Sequence, residues 1–168
     1  MADLYDRLLN DLQTLIVGLN LQGVAGIVGN VGSNVYVQTR GEKQRLLDNY
    51  PCILVTNEGQ TEEESEYGTS YETDGISYPV AILIYDQPTT NPTLAAPTYR
   101  QWRITIRTTL RGLVKYPIFA DCPETIAIKI HNLASLPDGI PARDNVVSSL
   151  VADCWCNEAT VRNDTPNE

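Results

Sequence analysis

Histidine is almost absent from this chain: His131 is the only one among 168 residues. A Ser-His-Asp or Cys-His site would have to use it, and no GxSxG or comparable nucleophile turn is present. The reading this favours is a polar residue on the outer face of a strand. Basic charge is also scarce, with 12 Lys and Arg against 21 Asp and Glu, a net charge of -9 and a pI near 4.5. That balance argues against a general nucleic-acid binder, which normally shows a basic footprint. The longest apolar runs fall well short of the roughly 18 residues of a membrane span, and the N-terminal Met-Ala-Asp-Leu-Tyr-Asp has acids where a signal peptide needs a basic region. A soluble protein made in the cytoplasm, without a membrane partner, is expected.

Cysteine is sparse as well. Four (Cys52, Cys122, Cys154, Cys156) in such a chain fit reduced, buried side chains better than a disulfide framework, so the sequon Asn163-Asp164-Thr165 carries little weight. Cys154-x-Cys156 is too tightly spaced for a usual structural zinc pair, and Cys52, Cys122 or His131 could complete a site only by folding together. Glu62-Glu63-Glu64 lacks the alternating Asp/Asn pattern and central glycine of a calcium loop. Gly23-Val-Ala-Gly26-Ile-Val-Gly29-Asn-Val-Gly32 has neither the lysine of a phosphate loop nor the first gap of the dinucleotide fingerprint, and reads as a flexible connection. No catalytic residue, cofactor or metal follows from these patterns.

What is present is organised around residues 51–87. Cys52 to Thr56 (CILVT) and Val80 to Tyr85 (VAILIY) are apolar on both alternating faces, which marks the covered middle of a sheet. Between them Glu58, Glu62, Glu63, Glu64, Glu66, Glu72 and Asp74 stand without a Lys or Arg, so the connection must meet water or a partner. The expectation is a long acidic β-hairpin arm over 57–75. Pro79 is expected to stand at the entrance of the second strand, with the regular ladder starting near Val80.

Upstream, Leu4, Leu8, Leu12, Leu15, Ile16 and Leu19 recur at helical steps over residues 3–19, with Asp3 as cap. A short strand at Val35 to Val37 and a short helix from Glu42 to Asp48 follow. Downstream, residues 86–97 read as a proline-marked loop, and Thr98 caps a second helix over about 98–114. Its apolar stripe is Tyr99, Trp102, Ile106, Leu110, Leu113 and Val114, and Arg100, Arg103, Arg107 and Arg111 lie beside it. With Lys115 these hold five of the twelve basic residues. Tyr116 to Pro123 is a loop, Ile126, Ile128 and Ile130 line one side of a strand, and Leu133 to Asp144 turns. A last strand from Leu150 to Val161 has Leu150, Ala152, Cys154 and Cys156 on one face, and 163–168 is a tail. The sum, over residues 1–162, is one α+β domain with a mixed or antiparallel sheet of about four to five strands and two packed helices. Acid at 62–66 and arginine at 100–111 suggest an interface in which the arm of one copy meets the helix of the next. A solvated helical face, or a cytoplasmic binding domain whose arginine helix takes an anionic ligand or nucleic acid, are the competing readings.

The order of elements and three local patterns, YPCILV at 50–55, DGISYPVAILIYD at 74–86 and SSLVADCWCNEATVR at 148–162, resemble the tail-terminator and tail-completion proteins of long-tailed bacteriophages. Related head–tail connector, stopper and head-completion proteins share a similar layout. The resemblance implies a structural virion protein, not an enzyme. It implies a homo-oligomeric ring, usually a hexamer, that ends the tail tube and joins it to the neck. Partners would then be tail tube and connector proteins, with passive contact to DNA in the channel. Glu62, Glu63, Glu64 and Glu66 against Arg100, Arg103, Arg107 and Arg111 are the candidate subunit interface. Acids lining the channel and repelling DNA would be a rival use of the same side chains.

Overall fold

The computed structural model describes residues 3–21, 34–39, 51–57, 63–64, 73–85, 96–131 and 146–159. In chain order these form α1 (Leu4–Gly18), β1 (Val35–Gln38), β2 (Cys52–Thr56), β3 (Glu63–Glu64), β4 (Thr73–Tyr85), α2 (Ala96–Arg111), β5 (Thr125–His131) and β6 (Val146–Ala159). The architecture is α+β: two helices and a mixed sheet in the order β1-β2-β4-β6-β5, with β3 added to β4. Among the described strands only β1 and β2 run parallel; a parallel pair needs a crossover of a dozen residues or more, and thirteen (39 to 51) separate them. The expected glycine-rich connection at 23–32, the helix at 42–48, the turns at 133–144 and the tail at 163–168 lie outside the described residues.

Alternation along the strands sorts the core. Ile53, Val55, Val80, Ile82, Ile84, Leu150, Cys154 and Cys156 point to the face on which both helices pack, meeting Leu4, Leu8, Leu9, Leu12 and Ile16 of α1 and Trp102, Ile106 and Leu110 of α2. Cys52, Leu54, Ala81, Leu83 and Tyr85 form a smaller buried cluster on the opposite face, with Tyr36 against it. Both sides of β2 and of Val80–Tyr85 are therefore buried, as their continuous apolar sequence requires. Asp3 occupies the N-cap of α1, but its side chain makes no capping bond; the helix is held by its buried leucines instead. Gln13 donates to the carbonyl of Val35 at 2.7 Å, and Asn34 to that of Pro51 at 3.2 Å, so the starts of β1 and β2 are tied to each other and to the second half of α1.

Pro79 corrects the expected strand boundary. The ladder of β4 begins at Thr73, six residues earlier (79 − 73), and Pro79 sits inside it opposite Asp153 of β6. Since β6 flanks β4 along its whole length, β2 and β3 share the other edge, where β2 ends at Ala81 and β3 at Ser77. Position 79 falls in the gap between them. Its carbonyl accepts the hydroxyl of Tyr5, whose ring meets Tyr78 edge-on at 4.9 Å. A strand residue turns its N–H and C=O to the same side, so the missing donor faces that gap and removes no ladder bond. The gap has its own signature: Thr56 to Glu63 spans seven residues (63 − 56) while their partners are four apart (81 − 77), a slip of three in register.

Candidate functional site

The second helix starts at Ala96 and ends at Arg111, two residues earlier and three earlier than its expected limits. Pro97 lies in the first turn, where a missing N–H has no intrahelical partner to lose, so the proline that looked like the end of a loop belongs to the helix. At the far end the amide of Gly112 is shared between the carbonyls of Thr108 and Thr109, both at 3.0 Å, and Val114 is off the helix and 86% exposed rather than part of its apolar stripe. Trp102, Ile106 and Leu110 carry the burial.

At 100° per residue, Arg103, Arg107, Arg100 and Arg111 fall within an arc of about 80° beside that stripe. They are not equivalent. Arg103 is half-buried and its Nε donates to the carbonyl of Ser149 in β6 at 3.0 Å, which docks α2 on the sheet. Arg100 is exposed, Arg107 is half-buried, and neither makes a hydrogen bond or ion pair among the described residues. Arg111 is exposed at the helix C-terminus, where a cation meets the negative end of the helix dipole. Large apolar side chains gather on the same element. Of the four exposed among the described residues, Ile104 (44%) lies on the arginine side of α2, and Val114 (86%) and Tyr116 (67%) follow it; Ile126 (37%) is the fourth.

Of the acidic stretch, β3 and the first residues of β4 are described: Glu63 pairs with Ser77, Glu64 with Ile76 and Asp74 with Glu158. Glu62 and Glu66 lie outside the described residues. The backbone of Glu63 and Ser149, the residue that receives Arg103, are separated along the sheet by the six residues from Ser77 to Leu83, their respective partners on β4. At strand rise that is about 20 Å.

The sheet face opposite the helices carries a different polar group. Nε2 of His131 lies 2.5 Å from Oδ2 of Asp153, and Lys129 stands directly across from Asp153. His131 is thus a partnered residue on the outer face of an edge strand. Ile126 departs from its expected place: a register shift between Thr125 and Ala127 gives the buried position to Thr125, leaving Ile128 and Ile130 against the core and Ile126 exposed. Among the described residues no group of three or more His, Cys, Asp and Glu could hold a metal ion, and no helix is long and apolar enough to cross a membrane.

A cluster that sequence patterns do not reveal ties α1 to the segment before β5. Arg7 forks onto Glu124, Nη2 to Oε1 at 2.8 Å and Nη1 to Oε2 at 3.2 Å, and Nη1 also reaches the carbonyl of Asp121 at 2.8 Å. Asp11, 8% exposed, accepts the backbone amides of Asp121 at 3.1 Å and Cys122 at 2.8 Å on one oxygen. Burial raises the pKa of Asp11, against the opposing pull of those amides, while the Arg7 guanidinium lowers that of Glu124. Beyond them Phe119, Cys122 and Thr125 are buried. The only sequence signal for this site was the odd placement of Asp11 among the leucines of α1.

Comparison with the models of known protein families gives no match, and comparison with characterised proteins gives none either.

Proposed function

We propose that the protein is a structural component of a tailed-bacteriophage virion, a ring-forming subunit that ends the tail tube at its head-proximal side and joins it to the neck. The observation that carries this reading is the surface of α2 and its continuation. Arg100 and Arg107 have no partner among the described residues, and Ile104, Val114 and Tyr116 are exposed beside or just beyond them. Arginine and tyrosine mixed with apolar side chains is the composition of a protein–protein contact, not of a solvated helix face. The resemblance in element order and in the strands at 50–55, 74–86 and 148–162 supports the virion assignment.

A closed ring needs two unlike surfaces that meet head to tail. The acidic stretch at β3 is the counterpart of opposite sign, and the about 20 Å between it and the Arg103 anchor point favours contact with a neighbouring copy over contact within the chain. Glu62, Glu63, Glu64 and Glu66 of one subunit then face Arg100, Arg107 and Arg111 of the next, with Arg103 holding α2 in place.

The test is assembly. Purified protein, alone or with tail tubes, is expected to form closed rings by mass photometry and to cap tube ends in electron micrographs. Removing residues 60–72 should leave the fold intact and abolish capping. A protein that stays monomeric in the presence of tubes and never decorates their ends overturns the reading. If that monomer instead binds a polyanion through Arg100 and Arg107, an anion-binding module replaces it.

A further inference from the structure

Four cysteines are buried and free, and two of them share one hydroxyl. The side-chain oxygen of Thr125 lies 3.4 Å from Sγ of Cys122, to which it donates, and 3.5 Å from Sγ of Cys156. Register puts Thr125 directly across from Cys156, and Cys122 precedes Thr125 by three residues, closed back on it by the amide of Thr125 bonding the Cys122 carbonyl at 3.1 Å. From these placements we propose that Cys122 and Cys156 form a thiol–disulfide redox site, oxidised by low-molecular-weight disulfides of the glutathione class.

Geometry excludes Cys154–Cys156 and every pairing of Cys52, and the Thr125 hydroxyl, which touches both Cys122 and Cys156, favours that pair over Cys122–Cys154. Cys154 and Cys156 are alternate residues on one face of β6, so their Cα atoms stand about 6.6 Å apart with parallel side chains, at the limit of disulfide reach and wrongly aimed. Cys52 belongs to the cluster on the opposite sheet face. The two remaining thiols also differ in reactivity. The interaction between the Cys122 and Cys156 side chains lowers the pKa of Cys122 and raises that of Cys156, while burial raises that of Cys154. Cys122 is therefore the sulfur that ionises first. It attacks one sulfur of the oxidant, whose other half leaves as a thiolate and takes up a proton. Cys156 then loses its proton and attacks the Cys122 sulfur of the mixed disulfide, releasing the second small thiol. Two protein thiols and one small disulfide become one protein disulfide and two small thiols.

Access is local. Cys122 is fully buried, but Asp121 and Pro123 on either side of it are exposed, and the segment is held closed by Asp11 and Arg7 of α1. Opening of that clamp admits the oxidant, and the product staples residues 34 apart (156 − 122).

The full-length protein is equilibrated with glutathione buffers of increasing oxidised fraction, unfolded in N-ethylmaleimide, and weighed. The reduced chain takes four maleimides and the oxidised chain is expected to take two, with one cross-linked peptide pair containing Cys122 and Cys156. Thermal midpoints should rise by several degrees on oxidation. C122S and C156S should each lose the transition, and C52S and C154S should keep it. Asp11→Asn, which loosens the clamp, should speed oxidation without changing the pair formed. Four maleimides at every buffer ratio, in the wild type and in Asp11→Asn alike, overturn the proposal, as does a bridge that uses Cys52 or Cys154.

Discussion

Charge is used in opposite ways at the α1 clamp and on the arginine side of α2. Arg7, Asp11 and Glu124 stand alone in the sequence, 117 and 111 residues from the groups they hold, and every one is matched within the chain. Arg100, Arg107 and Arg111 stand together on one helix; Arg100 and Arg107 find no partner among the described residues. A charge that serves the fold needs only its own counterpart, which folding brings from anywhere in the chain. A charge that serves an interface is useful in company, and company is what a sequence displays. The comparison predicts that the clamp governs stability and the stripe governs assembly.

The largest effect should come from breaking the clamp at its buried end. Asp11→Ala strands the amides of Asp121 and Cys122 and is expected to cost about 2–4 kcal/mol in urea unfolding, while Asp11→Asn, which keeps an acceptor oxygen, should lose less than half of that. Equal losses from the two variants would show that packing, not amide capture, is what Asp11 supplies.

Acid titration separates the two carboxylates by sign. The pKa of Asp11 is raised on folding, so the folded state holds that proton more tightly than the unfolded one; this component of stability falls as pH rises from about the ordinary 3.8 through the raised value. The pKa of Glu124 is lowered, so its contribution is present above the ordinary 4.5 and is lost as pH drops through the lowered value. Stability measured against pH should lose the first slope in Asp11→Asn and the second in Glu124→Gln. A double-mutant cycle on Arg7 and Glu124, both about one-third exposed, is expected to return about 0.5–1 kcal/mol of coupling.

The helices, the two central strands and the face assignment of β6 were legible because each repeats a period over many residues: leucines at helical steps, and Leu150, Ala152, Cys154 and Cys156 at alternate ones. Boundaries were less so. Pro79 reads as a strand entrance in any local window, since only the distant Tyr5 and the gap between β2 and β3 make it tolerable in mid-ladder. Pro97 has the same ambiguity between loop end and first helical turn. The shift at Thr125 exposes Ile126 while Ile128 and Ile130 keep the core side, and nothing local announces it. The clamp was unreadable for the reason given above: single charges far apart in sequence carry no pattern. The arginine stripe was readable in full, but not its division of labour, because that depends on which arginine sits over the Ser149 carbonyl.

That division holds the smallest expected change in stability, at Arg100 and Arg107, and the sharpest test of the comparison. Arg103→Ala loses a charge-assisted bond to a backbone carbonyl that fixes α2, and is expected to cost about 1–2 kcal/mol. Arg100→Glu and Arg107→Glu lose no such bond among the described residues and should change the unfolding free energy by no more than about 0.5 kcal/mol. If the stripe is an interface, the same two reversals should abolish ring formation or tube capping, and reversing Glu62 to Glu64 in the same chain should partly restore it, because each interface then regains opposite charges. Arg103→Ala should weaken assembly only in proportion to its effect on the fold. Reversals at Arg100 and Arg107 that leave assembly intact, or that unfold the protein, would place these arginines with Arg7 among the charges that serve the fold, and the contrast between the two regions would be lost.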